Sequence, residues 1–186
     1  MVHSLLLRTL EDNARVIIVT NAHKSWVEYS SQTLMPMTAL LLKERIRVIS
    51  ARMDMGMAMH AVPPNLWKIR KFLELHDMLG LSTEQVTNLI VIGDSMNEMN
   101  AGQRLSKKLP CCILKMIKMQ ESPQPKELIK QLMVISDAWD TISASARNFN
   151  MKLERKQRSE GSNTNEELAA AACAVAGKTA ATTSEN

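Results

Sequence analysis

Aromatic residues are scarce in this chain: three Trp, one Tyr and two Phe make up 3% of 186 residues. Leu, Ile, Val and the 14 Met must therefore fill the interior, where Met adds volume without fixing shape. Cysteine is scarce as well. Cys111, Cys112 and Cys173 form neither an even disulfide set nor a metal-binding spacing, which excludes a disulfide scaffold. The adjacent Cys111 and Cys112 are expected as small apolar residues of a buried strand. Six Gly and six Pro exclude a collagen-like chain. No run approaches the roughly 18 consecutive apolar residues of a membrane span. The apolar stretch within residues 1–10 is too short for a signal core and meets acids at Glu11 and Asp12. A reducing, cytoplasmic location without a membrane partner is the expectation. Charge of one sign is also lacking: a net +4 is too small and too dispersed for a nucleic-acid footprint.

What is present is a hydrophobic fraction of 45%, enough for one compact α/β domain over residues 1–153. A short helix is expected at 4–12. Residues 16–20, Val-Ile-Ile-Val-Thr, are a β-branched run suited to a strand covered on both faces. Residues 25–44 are helical in composition, with a break at Pro36, whose missing amide belongs at the start of a second helix. Residues 46–50 are the second strand. A helix over 64–79 starts with Pro64 and stops at Gly80, residues 87–92 form the third strand, and a polar helix follows over 95–107. A fourth strand is expected at 110–114. Leu128, Leu132, Ile135, Trp139 and Ile142 repeat at helical spacing, either covering a sheet face or offering a partner an apolar stripe. From Glu154 to residue 186 the chain is polar and then alanine-rich, the composition of a disordered or weakly helical tail. Strands alternating with helices predict a doubly wound, Rossmann-like parallel sheet.

In such sheets ligands bind beyond the carboxyl ends of the strands. Those positions hold Thr20 and Asn21 after the first strand and Gly93, Asp94 and Ser95 after the third, with Glu98 one helical turn further. Two carboxylates at one strand end suit magnesium, which takes one or two carboxylates together with phosphate oxygens. The hydroxyl and amides at Thr20 and Asn21 suit an anion, and Lys68 supplies positive charge. Each feature also has a plain structural reading, since Asp caps helices and Thr-Asn forms turns.

Three segments, Val16-Ile17-Ile18-Val19-Thr20-Asn21, Trp67-Lys68 and Gly93-Asp94-Ser95-Met96-Asn97-Glu98, together resemble the second, third and fourth motifs of the haloacid dehalogenase-like superfamily. The resemblance covers residues 5–142 and lies closest to a poorly characterised eukaryotic branch. It implies magnesium-assisted phosphoryl transfer on a small phosphorylated molecule, with Thr20 and Asn21 on the phosphate, Lys68 balancing charge, and Asp94 and Glu98 positioning Mg2+. The family's first motif, a strand ending in Asp-x-Asp that supplies the nucleophile, has no counterpart. Glu11 and Asp12 precede the first strand and so fall at its wrong end. The expected function is thus a phosphohydrolase remnant, a truncated copy or pseudoenzyme, that binds magnesium and phosphate with poor turnover or none, and a magnesium-dependent phosphatase or phosphotransferase if the first motif lies upstream. In the family's sheet order the missing strand is central, so its loss leaves two bare edges unless the first and third strands pair directly. The alternative is a noncatalytic module that docks a partner through the 128–142 helix.

Other residues carry weaker signals. Met53, Met55, Met57 and Met59 with His60 have the donor types of a copper(I) site, yet read more simply as a loop; Asp54 is the substitute nucleophile on the correct edge. His23 and His60 lack an acid partner. Trp26 with Tyr29, and Trp67 with Phe72, are expected as core anchors.

Overall fold

The computed structural model describes residues 1–52, 63–79, 88–109 and 111–155. Helix α1 (Val2–Glu11) gives way to a turn in which Asn13 takes φ 56°, a left-handed conformation that Asn tolerates. Strand β1 (Ile17–Thr20) follows. The break at Pro36 is real: α2 (Lys24–Leu34) and α3 (Pro36–Glu44) are separate helices, with Pro36 at a first-turn position that needs no amide partner. Strand β2 (Arg47–Ser50) pairs in parallel with β1, Ile17 opposite Arg47 and Thr20 opposite Ser50.

Helix α4 (Pro64–Met78) precedes β3 (Asn88–Gly93), α5 (Met96–Ser106) and β4 (Ile113–Lys118). Then come α6 (Pro125–Asp137), α7 (Trp139–Ala144) and β5 (Phe149–Lys152). Strands β3, β4 and β5 form a second parallel sheet in that order. Its two faces bury different clusters, because side chains alternate along a strand. Ile90 and Ile117 pack on one face with Leu5 of α1, Ile135 of α6, and Trp139 and Ile142 of α7. Leu89, Val91 and Met116 pack on the other with Met99 of α5 and Phe72 of α4. The chain is thus α/β, with parallel strands and helices on both faces.

Several expectations need correcting. The fourth strand starts at Ile113, because the Cys112 amide bonds the Leu109 carbonyl in a turn; Cys111 is exposed and Cys112 only half-buried. Strand β5 was not expected, although Phe149 and Met151 alternate with Asn150 and Lys152 as a strand with one covered face does. The helix over 128–142 is two helices joined at Ala138, and Ile135, Trp139 and Ile142 are buried in the core. What α6 leaves at the surface is Leu128, Ile129 and Met133. Trp26 and Tyr29 are not core anchors: they are 60% and 63% exposed and lean on each other with ring centroids 6.1 Å apart. Met53, Asp54, Met55, Met57, Met59, His60, Gly80 and nearly all of the 154–186 tail lie outside the described residues.

The largest difference concerns the sheet. A single doubly wound sheet is expected, but the described strands form two, and β1 does not pair with β3. Helices join the halves instead: α1 packs on α3 and α6, and α4 packs on β1 and α5. Among the described residues no helix is long and apolar enough to cross a membrane.

Candidate functional site

Strand β3 ends at Gly93, and Ser95 then caps α5, its hydroxyl accepting from the Asn97 amide at 3.2 Å. Glu98, at the third helical position, closes a capping box: its Oε2 accepts from the Ser95 amide at 3.1 Å and from the Ser95 hydroxyl. The other carboxylate oxygen, Oε1, accepts from Lys68 Nζ of α4. Glu98 is buried and Lys68 largely covered, with side-chain exposures of 8% and 14%, so the pair is partly shielded from the screening that weakens surface ion pairs. Burial holds the Lys68 ammonium below its ordinary pKa, and the negative charge of Asp94 offsets part of that shift. Lys68, Asp94 and Glu98 therefore lie together at the carboxyl end of β3.

Gly93 is what lets Glu98 fold back. A Cβ at position 93 would lie 2.5 Å from the Glu98 Cγ and 2.6 Å from its Cβ. The glycine that ends the strand and the acid that caps the helix are thus one packing unit.

Lys118 joins this group and was missed by sequence reasoning. It ends β4 opposite Gly93, is buried, and its Nζ donates to the Asp94 carbonyl at 2.6 Å, the Met119 carbonyl at 3.1 Å and Glu121 Oε1 at 3.0 Å. It ties down the backbone that presents Asp94. The signal was available: a lysine as the last residue of an apolar strand, at the sheet edge where ligands bind.

Thr20 and Asn21 end β1 on the other half-sheet. Thr20 Oγ1 accepts from the Ala22 amide at 3.0 Å, and Ser50, its register partner on β2, makes the same turn with Arg52 at 3.2 Å. The Thr20 hydroxyl keeps its proton to donate. Asn21 Oδ1 is buried without a hydrogen-bond partner, a costly state that an amide flip converts into a buried donor, the group a phosphate oxygen needs. Among the described residues no hydrogen bond or ion pair links Thr20 or Asn21 to Lys68; the connection runs through the packing of α4 on β1.

The donors fit magnesium only in part. Asp94 is exposed at the strand end, and none of the hydrogen bonds or ion pairs of the described residues engages its carboxylate. Glu98 fits poorly, because both its oxygens are occupied and a cation there would have to displace the Lys68 ammonium. Among the described residues no group of three or more His, Cys, Asp or Glu side chains converges. Magnesium here would rest on Asp94, water and phosphate oxygens, with Glu98 holding Lys68. No family model, curated protein or solved structure matches the chain.

Proposed function

We propose that the chain is a haloacid dehalogenase-like phosphohydrolase remnant that binds phosphate and magnesium at the carboxyl ends of β1 and β3 with poor turnover or none. The observation that carries this reading is the convergence of Lys68 with Asp94 and Glu98, three residues from two separate motifs at one strand end. A phosphate placed there gains the ammonium of Lys68, whose position Glu98 fixes. Magnesium held by Asp94 would offset charge on the phosphoryl oxygens. The family's Asp-x-Asp nucleophile motif has no counterpart in the sequence, and the substitute carboxylate Asp54 lies outside the described residues, so the reading is one of binding with poor turnover or none.

Calorimetric titration of the purified chain with magnesium and inorganic phosphate tests the site. Saturable uptake, lost in Asp94→Asn with the fold unchanged by circular dichroism, is the expected result. Absence of uptake in the wild-type chain overturns the reading. Robust vanadate-sensitive hydrolysis of a generic phosphoester, lost in Asp94→Asn, would keep the site and overturn the claim of poor turnover.

A further inference from the structure

Helices α2 and α3 turn their large apolar side chains outward. α2 buries only Ser31, and α3 buries Thr38 with Leu41. Trp26, Tyr29, Leu34, Met35, Met37 and Leu40 stand at the surface instead, exposed by 40–75%. Ser31 satisfies its hydroxyl within its own helix, on the Glu28 carbonyl at 3.0 Å. Among the described residues the four most exposed large apolar side chains, Leu34, Tyr29, Met37 and Trp26, all belong to this pair of helices. Single exposed apolar residues are ordinary, but a group of this size marks a surface that binds.

Helical spacing makes the group one patch. Trp26 and Tyr29 share a face of α2, and Met37 and Leu40 share a face of α3. Only Met35 separates the two helices, which pack on each other, so the stripes adjoin at the corner formed by Leu34, Met35 and Met37.

Charge narrows what can cover it. No charged residue falls between Glu28 and Lys43. The charges at the two ends nearly balance: Lys24 lies 3.7 Å from Glu28 on α2, and Lys43 adjoins Glu44 on α3, leaving Arg45 as the excess. An anionic lipid surface or a highly charged protein is drawn by a strong excess of one sign, which this patch lacks. A second copy needs no such excess. Across a two-fold axis the patch faces itself, so a fixed charge at its centre would meet its own kind, and an uncharged centre avoids that. The composition agrees, because homodimer interfaces are the more apolar ones, and interface centres favour aromatics and Met over charge. The six side chains expose on the order of 700 Å², so two copies face to face cover about 1,400 Å², within the roughly 1,200–2,000 Å² of a stable interface.

We propose that the outer surface of α2 and α3 is a homodimer interface, in which two copies of this chain meet about a two-fold axis through Trp26, Tyr29, Leu34, Met35, Met37 and Leu40. None of these residues takes part in the phosphate reading, so the two stand or fall separately.

Sedimentation of the full chain over a concentration series tests it, with circular dichroism as the check on folding. The native chain should be dimeric at micromolar concentration. Trp26→Ala and Leu34→Glu alter exposed side chains and should keep the fold. Trp26→Ala should weaken association at least about 30-fold, as loss of an interface anchor does. Leu34→Glu sets two carboxylates in an apolar centre and should leave monomers. Ile129→Glu, an exposed position of α6 outside the patch, should leave the dimer unchanged. A native chain that stays monomeric at high micromolar concentration overturns the inference. So does a dimer that survives both patch variants, or one lost equally in Ile129→Glu. A monomer that floats with phosphatidylcholine–phosphatidylserine vesicles, and ceases to in Trp26→Ala, also overturns it, since the occupant is then a lipid surface.

Discussion

Lys68 of α4 and Glu98 of α5, 30 residues apart in sequence, are joined by a buried ion pair that also anchors the cap of α5. Removing one member strands the other charge in a poorly solvated place, which costs about 3–5 kcal/mol for a buried pair. Lys68→Met and Glu98→Gln should each destabilise the chain by about 3 kcal/mol or more in urea unfolding. Glu98→Ala should be worse than Glu98→Gln, because the glutamine keeps an oxygen that can accept from the Ser95 amide. The double variant should lose less than the sum. Single losses below about 1 kcal/mol would place the pair among exposed ones and remove the reason for Lys68 to be held at the site.

Two glycines fix the approach of α5 to β3, and they should respond differently to an added methyl. A Cβ at Gly102 would lie 2.7 Å from Val91 Cγ2, a short, stiff side chain in the core. Gly102→Ala should cost about 1–3 kcal/mol by overpacking, and Val91→Ala in the same chain should recover part of that loss. At Gly93 the obstacle is Glu98 itself, so Gly93→Ala should dislodge its carboxylate and act through the ion pair. Combined with Glu98→Gln, which keeps the Cβ and Cγ that the new methyl meets, it should cost less than the sum, because the ion pair is lost only once while the steric cost remains. Thermal unfolding of both series separates the two cases, and full additivity at Gly93 would break the proposed link.

Periodicity and proline placement made most of the helices legible, since Pro36 and Pro64 mark first turns whatever surrounds them. The order of strands and helices was also readable. The roles of Lys68, Asp94 and Glu98 were not. Spacing puts Glu98 near Asp94 but cannot say that its oxygens will be taken by Lys68 and Ser95. Lys118 drew no reading from the sequence, since two of its three partners are backbone carbonyls, which a side-chain pattern does not reveal. β5 was lost because four alternating residues after a broken helix give a weak signal, and β4 shifted because Cys111-Cys112 resembles a strand yet forms its lead-in turn.

Lys115 gives the chain a stability that rises with pH. It is fully buried in β4, flanked by Ile90 and Phe149, with its Nζ donating to the Ser143 carbonyl at 2.8 Å. Burial holds its pKa below the ordinary 10.5, and Lys68 is shifted the same way. Between the folded and unfolded values the unfolded chain binds more protons, so raising pH through that window stabilises the fold. Below the folded value the whole desolvation cost is present. Urea midpoints should therefore climb as pH rises from neutral toward about 10. Lys115→Met should be neutral or stabilising at neutral pH, by up to a few kcal/mol, and should flatten the climb. A steeper climb in that variant would rule out Lys115 as its source.

The last contact to test is the latch that holds α1 over the sheet. Trp139, only 3% exposed, donates its indole N–H to Asp12 Oδ2 at 2.6 Å, while Arg8 reaches the Ser136 carbonyl at 2.8 Å and Asp140 at 2.7 Å. The two ends of the Trp139–Asp12 bond differ. Asp12 is exposed and rehydrates when its partner is lost, whereas the indole is buried and, without an acceptor, bears a desolvation cost of about 1–3 kcal/mol. Asp12→Ala should accordingly destabilise more than Asp12→Asn, which keeps an acceptor, and Trp139→Phe should show mainly a volume effect. Because the latch is what seats Leu5 beside Ile90 and Ile117, Asp12→Ala should also speed amide exchange in α1 before any global unfolding. If α1 keeps its protection while overall stability falls, the bond stabilises α7 alone, and the helix is held over the sheet by Leu5 and Arg8.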